Sequence, residues 1–171
     1  MKRLTLLTAA VVAAASTAVA LADREDADDR DDHDHHAGCH AVHAVIIDAP
    51  STENCMSPFG FCAAGEARGN QGLNGSTLFT LDGFSSAPAT APGFGETSGV
   101  LVYTTRHGTL TVRETGVGNM GSKALGGVGA SLEQVLEGTG RFSGATGTLY
   151  LASSAAEGQY TAIVTGARRS R

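Results

Sequence analysis

From residue 42 onward, apolar and polar side chains alternate with a period of two in short runs separated by glycine-rich turns. Thr77, Phe79 and Leu81 share one face of a strand, and Leu110 and Val112 alternate with Thr109, Thr111 and Arg113 in another. Tyr160, Ala162 and Val164 alternate with Thr161, Ile163 and Thr165, while residues 100–105 begin apolar on both faces. Leu132, Gln134 and Leu136 alternate with Glu133, Val135 and Glu137, which predicts that Glu133 and Glu137 point outward. With residues 42–48, 61–68 and 148–153, the pattern predicts about eight strands. No window carries the periodicity of a four-turn helix.

Glycine supplies the punctuation. Gly138, Gly140, Gly144 and Gly147 fall within one ten-residue stretch, where each would cost a helix roughly 1 kcal/mol relative to alanine. The stretch reads as a tight corner between two strands, with Phe142 placed to enter the core. Arg106-His107-Gly108 reads as a hairpin turn. Two longer connections, 83–98 with Pro88 and Pro92 and the glycine-rich 115–129, are candidate rims or lids. Regular short strands with glycine turns point to an all-β fold, either a closed antiparallel barrel or a sandwich.

The chain begins differently. Lys2 and Arg3 precede an alanine-rich apolar run from 4 to 22 with small residues at Ala18, Ala20 and Ala22, the pattern of a secretory signal peptide. Cleavage after residue 22 is expected, leaving no stable membrane span and a secreted or periplasmic protein. Residues 23–36 then carry eight acidic and two basic side chains, a net charge of −6. Residues 23–40 are expected to form a disordered Asp/His-rich tail, because so little apolar surface cannot offset the entropy of ordering. The barrel domain is assigned to residues 41–171. The whole chain is −5, and removing Lys2 and Arg3 makes it −7, so residues 37–171 are close to −1. With no basic face, no nucleic-acid partner is expected.

Three cysteines remain, and export makes pairing plausible. Cys55 and Cys62 flank a Ser-Pro-x-Gly turn that brings them together, so they are the expected disulfide, with Cys39 left over.

The run Glu137-Gly-Thr-Gly-Arg-Phe-Ser-Gly-Ala-Thr-Gly-Thr-Leu149, with the closing Gly158-Gln-Tyr-Thr-Ala-Ile-Val-Thr-Gly166, resembles the C-terminal half of bacterial allene oxide cyclase barrel-like proteins. These are similar to plant allene oxide cyclases and dirigent proteins. The resemblance extends over about residues 59 to 168. It implies a closed antiparallel barrel of about eight strands, whose interior either packs with side chains or holds one small ligand. It brings no catalytic residues with it.

Candidate chemistry is sparse. His33, His35, His36 and His40, among aspartates and beside Cys39, are the densest set of possible metal ligands, suited to zinc or copper; otherwise no cofactor is expected. Gly116-Val-Gly-Asn-Met-Gly121 has dinucleotide-fingerprint spacing without a βαβ context and reads as a loop. Glu66 and Arg68 share one strand face, and Tyr103, Tyr150 and Tyr160 could place phenols inside; these five are the candidate ligand-binding residues. The best-supported function is a non-catalytic binding or structural barrel able to hold a small apolar or aromatic ligand. The alternative is a cofactor-free cyclase, isomerase or dirigent-type protein that preorganises a reactive substrate.

Overall fold

The computed structural model describes residues 39–86, 89–90, 93–119, 127–156 and 159–169. The expected signal peptide, most of the acidic tail and His33, His35 and His36 lie outside the described residues. Eight strands close into an antiparallel barrel in chain order: β1 (Cys39–Ser51), β2 (Cys62–Gly69), β3 (Gly75–Ser85), β4 (Phe94–Thr105), β5 (Gly108–Asn119), β6 (Gly127–Gly138), β7 (Thr146–Ala156) and β8 (Gln159–Arg169). Closure comes from β1 pairing with β8, from Cys39 opposite Arg169 to Asp48 opposite Tyr160. Because β1 starts at Cys39, Cys39 and His40 belong to the barrel wall, although the charge pattern assigns them to the tail. Among the described residues, no helix is long and apolar enough to cross a membrane.

Alternation explains the strand faces. Val42, Ala44 and Ile46 of β1 point inward, as do Thr77 and Leu81 of β3, Leu101 and Tyr103 of β4, and Leu110 and Val112 of β5. On β6 the expected facing is reversed as far as Val135, whereas Glu137 is exposed as expected. Leu132 and Leu136 are exposed, whereas Glu133 and Val135 are buried. The reason is that the outer wall carries an apolar row of its own. Val117, Ala130, Ala152, Ile163 and Val45 follow one another across adjacent strands, all on the outside. Leu132 pairs with Tyr150 beside that row, so apolar character does not mark the inner face here.

The glycine-rich stretch after Glu114 is strand as far as Asn119, not loop. Gly116 is buried there, and a Cβ at that position would collide with the Ser131 side chain of β6. The glycine is needed because the neighbouring side chain comes so close.

The two ends of the barrel differ. At one, the corner between β6 and β7 folds back through a single 3₁₀ turn, Gly140–Phe142, and seats Phe142 fully buried in the core. Gly140 has φ +58°, and a Cβ there would strike the His107 carbonyl, so the turn requires glycine. Arg141 N–H donates to that carbonyl at 2.8 Å, tying the corner to the β4–β5 hairpin. At the other end, Cys55 and Cys62 form the expected disulfide with Cα atoms 5.6 Å apart. Within its loop Ser57 Oγ donates to the Leu81 carbonyl at 2.6 Å, holding the loop on β3. Closing so short a loop contributes only ~2–3 kcal/mol in the chain-entropy estimate.

Candidate functional site

The inward series on three strands each run into an acid. On β1, the step after Val42, Ala44 and Ile46 is Asp48; on β5, the step after Leu110 and Val112 is Glu114; on β6, the step before Val135 is Glu133. Glu114 and Glu133 are directly paired across the β5–β6 ladder. Neighbouring β4 brings Tyr103, whose hydroxyl donates to Glu133 Oε2 at 3.1 Å and lies 3.4 Å from Oε1. Ser131 Oγ donates to Glu114 Oε1 at 2.8 Å. Three carboxyl groups and a phenol therefore converge inside a largely apolar barrel.

Burial governs their protonation. Glu133 is 0% exposed, and loss of solvent drives its pKa from the ordinary 4.5 up to about 8. The neighbouring Glu114 charge pushes the same way, and the Tyr103 hydrogen bond opposes it. Glu114 is raised too, first by burial and then by Asp48, with the Ser131 bond opposing. Burial pushes Asp48 up to about 6. Tyr103 is raised by burial and by the acids beside it. Near neutral pH Glu133 is a protonated acid within the barrel, able to donate a hydrogen bond.

Above this polar layer the barrel is hollow. A cavity of ≈ 340 Å³ is walled by Ile46, Phe61, Phe79, Leu101, Leu151 and Ala162, among others, with Asp48, Glu114, Thr97, Ser153 and Tyr160 as its polar contacts. A smaller space of ≈ 120 Å³ shares Thr97, Glu114, Ser153 and Tyr160 and reaches toward the end of β5 and the start of β6. Phe61 and Tyr160 meet edge to face, ring centroids 6.4 Å apart. Tyr103 and Glu133 do not line the cavity; they belong to the packed half of the interior, and Glu114 links the two.

The residues singled out in the sequence are divided by this arrangement. Tyr160 lines the cavity, and Tyr103 is buried beside Glu133. Tyr150 is on the outer wall, 59% exposed, because β7 turns Leu149 and Leu151 inward. Glu66 and Arg68 also face outward, since Ala63 and Ala67 take the inner positions of β2; they form an exposed ion pair at 3.1 Å. His40 is half-buried on β1, paired in register with Arg168. Glu114 and Glu133 could be read in the sequence as acid–base groups only if they faced inward, and alternation assigns Glu133 outward; Asp48 escapes notice because it looks like an ordinary strand-end charge. Extending the inner period of β1 and β5 by one step would have found Asp48 and Glu114.

No family model, curated protein or solved structure matches the chain.

Proposed function

We propose that the protein is a binding barrel that takes one small, largely apolar or aromatic molecule into its open end. The observation that carries this reading is the ≈ 340 Å³ cavity, apolar in its walls and supplied with a few polar groups on one side. Burial of apolar area supplies the attraction, at ~25 cal/mol per Å² before the cost of association. Asp48 and Glu114, whose carboxyls burial makes easier to protonate, would orient a ligand carrying one hydrogen-bonding group. Of the two expected rims, 83–98 is strand up to Ser85 and from Phe94, and 115–129 is strand up to Asn119 and from Gly127; Phe84 and Thr97, on the strands of the first, stand on the cavity wall. The Cys55–Cys62 disulfide and the signal-like first 22 residues support action outside the cell or in the periplasm.

Titration of the protein with naphthol, a neutral aromatic probe, is expected to give saturable NMR shifts confined to inward residues such as Ile46, Leu101 and Ala162. Ala63→Leu, which extends a side chain into the same cavity, is expected to weaken naphthol about tenfold, equivalent to about 1.4 kcal/mol. Shifts scattered over the outer wall, or affinity unchanged in Ala63→Leu, would refute the binding site.

One observation favours a second reading, the cofactor-free cyclase or isomerase to which the family resemblance points. Burial raises the carboxyl of Asp48, to about 6, and that of Glu114 beside an apolar cavity, which brings both nearer the range of a general acid or base. The readings diverge on Asp48→Asn: a binding module keeps its ligand, whereas an acid catalyst loses turnover.

A further inference from the structure

At the end opposite the cavity, three turns meet around a polar pocket of ≈ 590 Å³, lined by Gly69–Gly72 and Asn74, by Arg106 and His107, and by Arg141. They are respectively the β2–β3 turn, the β4–β5 hairpin and the β6–β7 corner. No carboxylate lines this pocket, and among the described residues neither Arg106 nor Arg141 has an acidic partner. A third arginine stands behind it. Arg168 points into the barrel from β8, is buried, and lies with its guanidinium carbon 5.2 Å over the Phe142 ring. Its Nε and Nη1 have no hydrogen-bond partner among the described residues.

These groups share one neighbourhood. Arg141 Nη1, His107 Cδ2 and Phe142 Cζ all come within 3.7 Å of the point where Gly72 would carry a Cβ. Arg141 lies close enough to Arg168 for its charge to disfavour a second cation there.

The frame is rigid. Asn74 grips Gly69 through both its N–H and its carbonyl, at 3.1 and 2.8 Å. Asn70 Nδ2 donates to the Ala41 carbonyl at 3.0 Å, and its Oδ1 accepts from His43 N–H at 2.9 Å. Arg106 Nε donates to His107 Nε2 at 2.9 Å, fixing the guanidinium beside the ring. Thr109 and Thr139 join hairpin to corner through backbone and hydroxyl bonds. A chain of net charge −5 thus gathers three arginines at one preorganised end, with no acid among the described residues to neutralise them.

We infer that this pocket is an oxyanion site, suited to a tetrahedral anionic group, a phosphate or a sulfate, carried by a larger polar molecule. Arg106 and Arg141 are the contacting residues, since guanidinium forks match the oxygens of such a group in paired hydrogen bonds. Arg168 does not touch the ligand; its unneutralised charge behind Phe142 raises the positive potential of the pocket. The volume exceeds what a bare anion fills, so the natural ligand carries further polar substance against Gln71 and Asn74.

Inorganic phosphate is the probe, titrated into the full chain and followed by amide shifts and calorimetry at low salt. Saturable shifts at Gly72, His107 and Arg141 are expected, with affinity reduced about tenfold or more by Arg141→Gln, the scale of one charge-assisted hydrogen bond. Arg113→Gln removes the same charge from the outer wall of β5, where Arg113 pairs with Asp82, and is expected to leave phosphate affinity unchanged. Naphthol binding at the other end serves as the check that both variants are folded. Shifts that never saturate would overturn the proposal, and so would an equal loss in Arg113→Gln and Arg141→Gln, which would reduce the effect to general charge. Sulfate as a second titrant separates the two anion classes: a site for phosphoryl groups prefers phosphate, and a site for sulfated molecules prefers sulfate.

Discussion

Glu133→Gln is expected to make the barrel more stable in mild alkali, and to leave it no more stable than the parent in mild acid. In the folded chain Glu133 holds its proton up to about pH 8, whereas in the unfolded chain it ionises from about 4.5. Between those values the native state binds more protons than the unfolded state, so stability falls as pH rises. The slope is about 1.4 kcal/mol per pH unit for one group. Below pH 4.5 both states are protonated and the penalty vanishes; above pH 8 it is complete, on the order of 3–5 kcal/mol. Glutamine removes the ionisation, and its amide oxygen accepts from Tyr103 in place of the carboxyl. Asp48 acts in the same sense between 3.8 and about 6, and less strongly because it is partly open to solvent. Urea denaturation at a series of pH values from about 4 to 9 is the measurement. The parent and variant curves are expected to diverge between about pH 4.5 and 8 and to level off above; curves that run parallel from 4.5 to 8 would show that Glu133 is ionised in the native barrel.

Phe142→Ala is expected to cost roughly 3–5 kcal/mol, the range for deleting a fully buried aromatic ring. Two consequences add to the cavity it leaves. The ring covers the Arg168 guanidinium, whose Nε and Nη1 have no other partner among the described residues, so removing it strips a buried cation of its cation–π contact. The corner also loses its anchor, since Phe142 is the buried side chain of a 3₁₀ turn that has no side-chain cap. Phe142→Leu separates these effects, restoring much of the volume and none of the π face. It is expected to fall between the parent and alanine in chemical denaturation. A loss below about 1 kcal/mol for alanine would mean that the corner does not depend on its plug.

Much of this architecture is legible in the sequence, and the reasons are local. Alternation of Leu110 and Val112 with threonines, or of Ala162 and Val164 with their neighbours, marks strands whatever their partners are. The glycine corner and the Cys55–Cys62 loop are contiguous, so their geometry is set by nearby residues. The polar interior is a different matter. Glu133 sits between Leu132 and Gln134, and only the register with β5 shows which of those three faces in. A bulge between Thr111 and Val112 shifts that register, leaving Leu136 without a partner across the ladder. Once the outside of a barrel also carries leucine, valine and isoleucine, hydrophobicity alone cannot distinguish its two faces. Tyr150 and Tyr160 show the same limit: both occupy alternating strands, and only pairing puts one in the cavity wall and the other in solvent.

The β1–β8 ladder joins the two segments of the barrel that are farthest apart in sequence, since every other pairing is a hairpin between consecutive strands. The seven hairpins can form from local encounters, whereas the seam must bring Cys39 against Arg169 across nearly the whole domain. Loop-closure entropy therefore weighs most heavily on this one junction. Until the seam zips, β1 and β8 are both bare edges, with unpaired N–H and C=O groups and Val45, Ile47 and Ile163 beside them. Two half-closed chains offer each other the same complementary edges that each needs for itself. Exchange of a terminal strand between copies is thus the characteristic misassembly of this topology, and crowding during synthesis is the condition that invites it.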